Sequence, residues 1–290
     1  MKQLKGFDLL RPRTLVGALE MMATLEIAQP IAGGSDLIPQ FKDEGCKPKH
    51  LVDLGLIQEL NGIMEEGNRI LIGPTTTHTQ VASSKLIEEK APALHEAVKW
   101  MGSVQIRNRG TIGGNLCNAS PAADTAPPLL VHSAEVQVMS LDGSRWMPLV
   151  DFFVDSKVTV LEPDELLTGI RFPVVAGASS SFQRVGRRRG FTLSVVDVAA
   201  CVERDGGSLG DVKIAVGAVA PTPIRLVKVE EGLRGRKVTY ELVEEAGRMV
   251  SEAVNPRDSA RSSAEYKRDM AGVLVRRALS AAWKRVGGEL

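Results

Sequence analysis

Two short glycine-paired stretches carry the residue types from which a site for a phosphorylated ligand can be built. The longer runs Gln105-Ile106-Arg107-Asn108-Arg109-Gly110-Thr111-Ile112-Gly113-Gly114-Asn115-Leu116-Cys117-Asn118-Ala119-Ser120-Pro121-Ala122-Ala123-Asp124, and the shorter runs Ile31-Ala32-Gly33-Gly34-Ser35-Asp36-Leu37-Ile38-Pro39. Paired glycines let backbone approach a ligand closely and take conformations closed to other residues. Consecutive N–H groups in such a turn converge into an anion-binding concavity. Many N–H donors can hold a pyrophosphate without a cluster of lysines. Either pair alone reads equally well as an ordinary tight turn. Two Gly-Gly-polar loops gripping one ligand from two sides is the sharper reading. The apolar run Thr125 to Val131 directly after the longer stretch predicts that this loop is held inside the fold.

The elements that must position these loops mix helix and strand without a regular βαβ repeat, which predicts an α+β fold. Helical spacing covers Thr14 to Ala28, Thr79 to Glu89, Pro92 to Met101, Tyr240 to Val254 and Ala264 to Val286. The last carries an apolar stripe of Met270, Val273, Leu274, Ala278, Ala281 and Ala282. Pro30 to Ala32, His50 to Leu54, Arg69 to Gly73, Glu135 to Ser140, Val150 to Phe153, Leu166 to Phe172, Leu193 to Glu203 and Val212 to Val219 read as strands or short apolar segments. Hairpin turns are expected at Leu141-Asp142-Gly143-Ser144 and Asp205-Gly206-Gly207-Ser208. The small-residue stretch Pro173 to Ser181 reads as a flexible boundary.

Composition removes several function classes. The chain has 290 residues, 43% of them hydrophobic, enough for two domains with separate cores. A formal net charge of +1 gives no argument for nucleic acid or an anionic membrane as partner. No apolar run approaches the roughly 20 residues of a membrane span, and the N-terminus lacks a secretory apolar region. Cys46, Cys117 and Cys201 are scattered, which fits a reducing, cytoplasmic compartment. Cys117 has no base beside it in sequence and reads as a small buried filler, and Trp100 and Trp146 read as core. There is no G-x-G-x-x-G, no G-x-x-x-x-G-K-[ST] and no C-x-x-C. His50, His78, His95 and His132 are never spaced as a metal pair.

The two loops, together with Glu165-Leu166-Leu167, Phe172-Pro173, Phe182 to Arg187 and Tyr266-Lys267-Arg268, resemble the FAD-binding medium subunit of molybdenum hydroxylases, the group of xanthine dehydrogenase and aerobic carbon monoxide dehydrogenase. The resemblance covers nearly the whole chain. It implies a PCMH-type FAD-binding fold: two α/β subdomains, roughly 1–57 and 58–175, and a C-terminal domain over 176–290, a small antiparallel sheet with helices that covers the flavin. It places Ile31, Ala32, Gly33, Gly34, Ser35, Asp36 and Leu37 around the FAD pyrophosphate through backbone N–H groups. Thr111, Ile112, Gly113, Gly114 and Asn115 are expected to do the same from the opposite side. Asp124 is expected to accept hydrogen bonds from cofactor hydroxyls, and Leu167 to pack on the flavin or its ribityl chain. Where many relatives carry a lysine, this chain has Gln183-Arg184, so Arg184 takes that position with a planar fork instead of a compact ammonium. The run Arg187-Arg188-Arg189 reads equally as a solvated face or as a flavin- or partner-facing patch.

The resemblance further implies an oxidoreductase subunit without catalytic or metal-binding residues of its own. Molybdopterin would sit in a large partner subunit and two [2Fe–2S] clusters in a small one, in a dimer of heterotrimers. This chain would take electrons from the clusters and pass them to an external acceptor. The inserted cysteine loop of the 4-hydroxybenzoyl-CoA reductase type is missing. A stand-alone flavin oxidoreductase of the same fold is the alternative, and a nucleotide-binding regulatory module a third. Neither substrate nor acceptor is named by the sequence.

Overall fold

A computed structural model describes residues 6–44, 48–188 and 192–290; Cys46 and Arg189 therefore lie outside the described residues. The fold is α+β, built among the described residues on three main sheets and three apolar cores.

The N-terminal sheet is parallel, with His50–Asp53 between Asp8–Leu10 and Ala28–Ile31. Leu51 and Val52 are fully buried in it. The preceding helix spans Leu15–Thr24 and is capped by Thr14, whose Oγ1 accepts from Gly17 N at 3.2 Å. It ends earlier than its apolar spacing predicts because Leu25 turns extended and Ile27 takes φ 54°, reversing the chain into Ala28–Ile31.

The central sheet is antiparallel, in the order Ile63–Glu66, Arg69–Ile72, Leu166–Pro173, Glu135–Ser140, Gly143–Pro148. Its hairpin turns at Gly143, φ 150°, as the sequence predicts. Helices pack on it to form the largest core, around Ile70, Ile72, Leu94, Ile112, Leu116, Val136, Ile170 and Phe172. The segment expected as one helix from Thr79 to Glu89 is two, His78–Ser83 and Lys85–Lys90. Ser84 divides them: its Oγ accepts from Ile87 N and starts a new helix instead of continuing the old one. The segment around Val150 is a 3₁₀ turn, Leu149–Asp151, followed by the strand Phe153–Asp155.

The C-terminal sheet runs Ala178–Gly186, Ser194–Asp205, Ser208–Gly217, Ile224–Arg225, all antiparallel. Its first strand takes in Ala178 to Ser181, the end of the stretch that composition marks as a flexible boundary. Ser180 and Ser181 are fully buried there and satisfied: Ser180 Oγ accepts from Ala93 N at 3.1 Å, and Ser181 Oγ donates to Glu96 at 3.1 Å. Small side chains are what lets the helix Pro92–Trp100 lie close against this strand. Tyr240–Ala253 and Ala264–Arg285 cover the sheet. The buried stripe of the last helix is Ala271, Leu274, Val275, Ala278, Leu279, Ala282 and Trp283, rotated slightly from the expected one. Among the described residues no helix is long and apolar enough to cross a membrane.

Candidate functional site

The two glycine stretches meet. A β-carbon on Gly33 would stand 2.0 Å from the Arg109 carbonyl oxygen, so only glycine lets the first loop lie on the second. The first loop leaves the strand Ala28–Ile31, turns at Gly34 (φ 69°) and enters the helix Leu37–Glu44, whose Ile38 N donates to Gly34 O at 3.1 Å. Among the described residues, no acceptor engages the N–H groups of Gly33, Gly34, Ser35 or Asp36. Gly33, Gly34 and Ser35 are half-buried and Asp36 is exposed, and donors shielded from water without partners are costly. A bound anion relieves that cost, and a pyrophosphate fits the requirement.

The second stretch differs from the expected loop. It forms two short helices, Val104–Arg109 and Ile112–Cys117, capped by Ser103 and Thr111. Ile112 and Leu116 are fully buried and anchor it to the central core. Its N–H groups are already engaged: Ile112 N donates to Thr76 O at 2.9 Å, Gly113 N to Pro74 O at 2.8 Å, Gly114 N to Thr111 Oγ1 at 3.1 Å, and Asn115 N to Thr111 O at 3.0 Å. The N–H groups of Ile112 to Asn115 thus have acceptors within the chain, unlike those of the first loop. Gly113 serves packing, since a β-carbon there would stand 2.4 Å from Pro74 Cβ. Asn115 accepts from Thr125 Oγ1 at 2.6 Å and thereby ties the second stretch to the turn that carries Asp124.

Asp124 is buried, and its carboxylate is held from two sides. Arg184 Nη1 reaches Oδ2 at 2.8 Å, and Ser194 Oγ donates to Oδ1 at 2.5 Å. The Arg184 fork also donates to the carbonyls of Trp100, at 3.1 Å, and Thr192, at 2.5 Å. The side chain in the position expected to be a flavin-contacting cation is thus a bracket between Asp124 and the sheet. Across the strand pair Arg184 faces Asp197, which is fully buried with neither carboxyl oxygen hydrogen-bonded. Burial raises the Asp124 carboxyl above its ordinary value, opposed by Arg184 and Ser194. Burial, reinforced by Asp124, raises Asp197 well above its ordinary range, with Arg184 opposing. One guanidinium between two carboxyls balances one negative charge, so burial and Asp124 together oppose ionisation of Asp197.

Beside Arg184 opens a cavity of about 580 Å³, lined by Glu96, Trp100, Phe182, Gln183, Arg184 and Arg188 among others. Trp100, expected in the core, is 57% exposed at its rim. Trp146 is half-buried under the Arg171 guanidinium, 4.0 Å from its ring. Leu167 is buried in the central core. Cys117 is exposed as a residue, while burial around its thiol pushes the pKa up to about 12; its helix turns only Ile112, Gly113 and Leu116 fully inward. His78, 3% exposed behind the second stretch, is held neutral, its pKa lowered by burial and by Arg107 to about 4.

Two residues that the sequence reading passed over, Lys157 and Gln40, belong to this region. Lys157 Nζ lies 2.7 Å from Asn118 Oδ1 and 3.4 Å from Asp36 Oδ2, and Gln40 Nε2 donates to Asp36 at 2.9 Å. The signal available for Lys157 was only that a basic residue stands in a tight turn.

Comparison with known proteins assigns the chain. Residues 5–175 match the FAD binding domain in molybdopterin dehydrogenase, and residues 181–282 the CO dehydrogenase flavoprotein C-terminal domain. The chain is 33% identical over 272 residues to a glyceraldehyde dehydrogenase medium chain of Sulfolobus acidocaldarius, covering 94% of this chain and 96% of that one. It is 31% identical over 283 residues to a xanthine dehydrogenase FAD-binding subunit of Escherichia coli, covering 97% of each. A subunit of the carbon monoxide dehydrogenase of Hydrogenophaga pseudoflava, solved in a form lacking the Mo-pyranopterin moiety, superposes with a TM-score of 0.93 at 33% identity over 98% of this chain and 99% of that one. FAD supplies the redox chemistry in such a fold, while molybdenum and iron–sulfur groups belong to other subunits. The chain belongs to the FAD-binding medium subunits of the molybdenum hydroxylases and is the flavoprotein component of an oxidoreductase.

Proposed function

We propose that this chain is an electron relay: it takes electrons from [2Fe–2S] clusters of a small partner subunit onto FAD and passes them to an external acceptor. The organic or inorganic substrate is then oxidised on molybdopterin in a large partner subunit, which alone selects it. The observation that carries this reading is the end-to-end likeness to a carbon monoxide dehydrogenase subunit. The titratable groups support it. Substrate oxidation on a stand-alone flavoenzyme calls for a base poised near neutral pH. Here His78 is buried and His132 half-buried, each with its pKa lowered to about 4, and the C-terminal third contains no histidine.

Within this reading FAD lies extended between subdomains 1–57 and 58–175, with 176–290 covering the flavin ring. Its pyrophosphate is held by Ile31 to Leu37, with Thr111 to Asn115 as the rigid wall behind that loop. Asp124 meets cofactor hydroxyls, Leu167 lies beneath the flavin, and Arg184 orients Asp124. The assembly is a cytoplasmic dimer of heterotrimers.

Stopped-flow absorbance of the chain alone and with its two partner subunits tests the proposal. FAD should bleach only when both partners and the substrate are present. Bleaching of the isolated chain by a small-molecule substrate would replace the relay with a stand-alone oxidoreductase.

A further inference from the structure

Lys157 occupies a turn where its own conformation is unfavourable. It is the second residue of the two-residue connection between Phe153–Asp155 and Val158–Thr159, and it takes φ 65°. Such turn positions usually carry glycine or asparagine, because an L side chain in the left-handed region strains the backbone. The strain is fixed by a neighbour in the same state: Lys157 N donates to Ala119 O at 2.8 Å, and Ala119 has φ 44°. Backbone strain held by surrounding structure is a pointer to a side chain that must be where it is.

That side chain reaches the junction of the two glycine stretches. Its ammonium touches Asn118, at the end of the second, and Asp36, at the end of the first. Asp36 is the one carboxylate in the loop whose N–H groups lack acceptors. Beside a bound pyrophosphate its charge repels the ligand that the N–H groups attract. The Lys157–Asp36 pair is about half exposed on both sides, so it adds little to folding stability. Its electrostatic effect on an anion in the loop is a separate matter, since the full charge of Asp36 would otherwise face it.

We propose that Lys157 completes the pyrophosphate cradle by neutralising Asp36 where the two stretches join, leaving the N–H groups of Gly33 to Asp36 free to attract the anion. Gln40 and Asn118 orient the pair, through contacts of 2.9 Å and 2.7 Å. Lys157 is therefore a positioning and charge-compensating residue, and this role rests on the reading that FAD binds between the two stretches.

The test is titration of the full-length apo chain with FAD, followed by flavin fluorescence at low and high salt. Lys157→Met should bind FAD about tenfold more weakly at low salt, with the gap closing as salt screens the exposed charge. Lys157→Arg should bind like the wild type. The double variant Asp36→Asn with Lys157→Met should recover most of the lost affinity, because both charges are gone together. Lys157→Gly should lose affinity like Lys157→Met without lowering the melting temperature of the apo chain, since glycine relieves the turn. Wild-type affinity in Lys157→Met, a double variant no tighter than the single one, or a fall in melting temperature that tracks the lost affinity would each overturn the inference. A wild-type chain that binds no FAD would instead remove the cofactor reading on which it rests.

Discussion

Arg184 and Asp124 form a buried ion pair, 2.8 Å apart, joining the C-terminal sheet to the turn that follows the second glycine stretch. The pair closes the FAD-binding part of the chain against its C-terminal part at the cavity. Removing one member of a buried pair leaves an uncompensated charge and costs about 3–5 kcal/mol. Arg184→Met should therefore lower the thermal midpoint strongly, with Asp124 left facing Asp197. Arg184→Lys should keep the charge but lose the fork's contacts to the Trp100 and Thr192 carbonyls, an intermediate loss. Thermal melts of the three proteins order them; an Arg184→Met chain as stable as the wild type would remove the pair from the account.

Asp197 gives the chain a definite pH response. A carboxyl with its pKa raised by folding holds its proton more tightly in the native state than in the unfolded chain. Its stabilising contribution is therefore complete at acid pH, below the unfolded value, and is lost as pH rises through the folded value. Asp197→Asn keeps the shape and stays neutral at every pH. The variant should gain stability relative to the wild type as pH is raised, with the gain levelling off once Asp197 is fully ionised. Chemical denaturation at a series of pH values measures this. A constant difference between the two proteins would mean that Asp197 titrates normally.

Gly33 is predicted to tolerate no side chain. Alanine there would press its β-carbon into the Arg109 carbonyl and drive the two stretches apart, at about 3 kcal/mol or more in strain or rearrangement. Gly33→Ala should lose FAD affinity more than fold stability, because the first loop can swing outward while the cores remain. Gly113→Ala should do the reverse: its clash with Pro74 lies beside the central core, so the melting temperature should drop most. Paired FAD titrations and melts of the two variants distinguish these outcomes.

How far these features were legible depends on where their causes lie in the chain. Local signals read correctly. The glycine at 143 in its hairpin, the strict alternation of Glu135 to Ser140 and the long helical spacing after Ala264 each decide a structure within a few residues. The strand Ala178–Gly186 was hidden because its serines look like linker, and only tertiary partners such as Ala93, His132 and Glu96 make them a buried surface. The six-residue helices Val104–Arg109 and Ile112–Cys117 are too short for periodicity to register, and they set Gly113 against Pro74. At the site, the loops and Asp124 carry a family motif that is legible in the sequence. Ser194, Asp197 and Lys157 acquire meaning only from strand register and from a turn more than a hundred residues from Asp36.

Glu96 tests how the C-terminal part is fastened. From the helix Pro92–Trp100 it accepts from Phe182 N at 2.7 Å and from Ser181 Oγ at 3.1 Å, and it pairs with Arg285 at the end of the last helix. Arg285 also donates to Ser180 O. One carboxylate thus joins three elements from opposite ends of the sequence, at the edge of the cavity beside Arg184. Glu96→Ala would leave the Phe182 N–H and the Arg285 guanidinium without their acceptor, each at about 1–3 kcal/mol if unsatisfied. Water reaches the Arg285 side, so the loss should come mainly from Phe182. Glu96→Gln keeps an acceptor for Phe182 and should recover most of it. The expected result is earlier proteolytic cleavage between residues 173 and 186 in Glu96→Ala than in Glu96→Gln or the wild type, together with weaker flavin retention. Equal cleavage rates in all three would place the fastening elsewhere, in the packing of the last helix on the sheet.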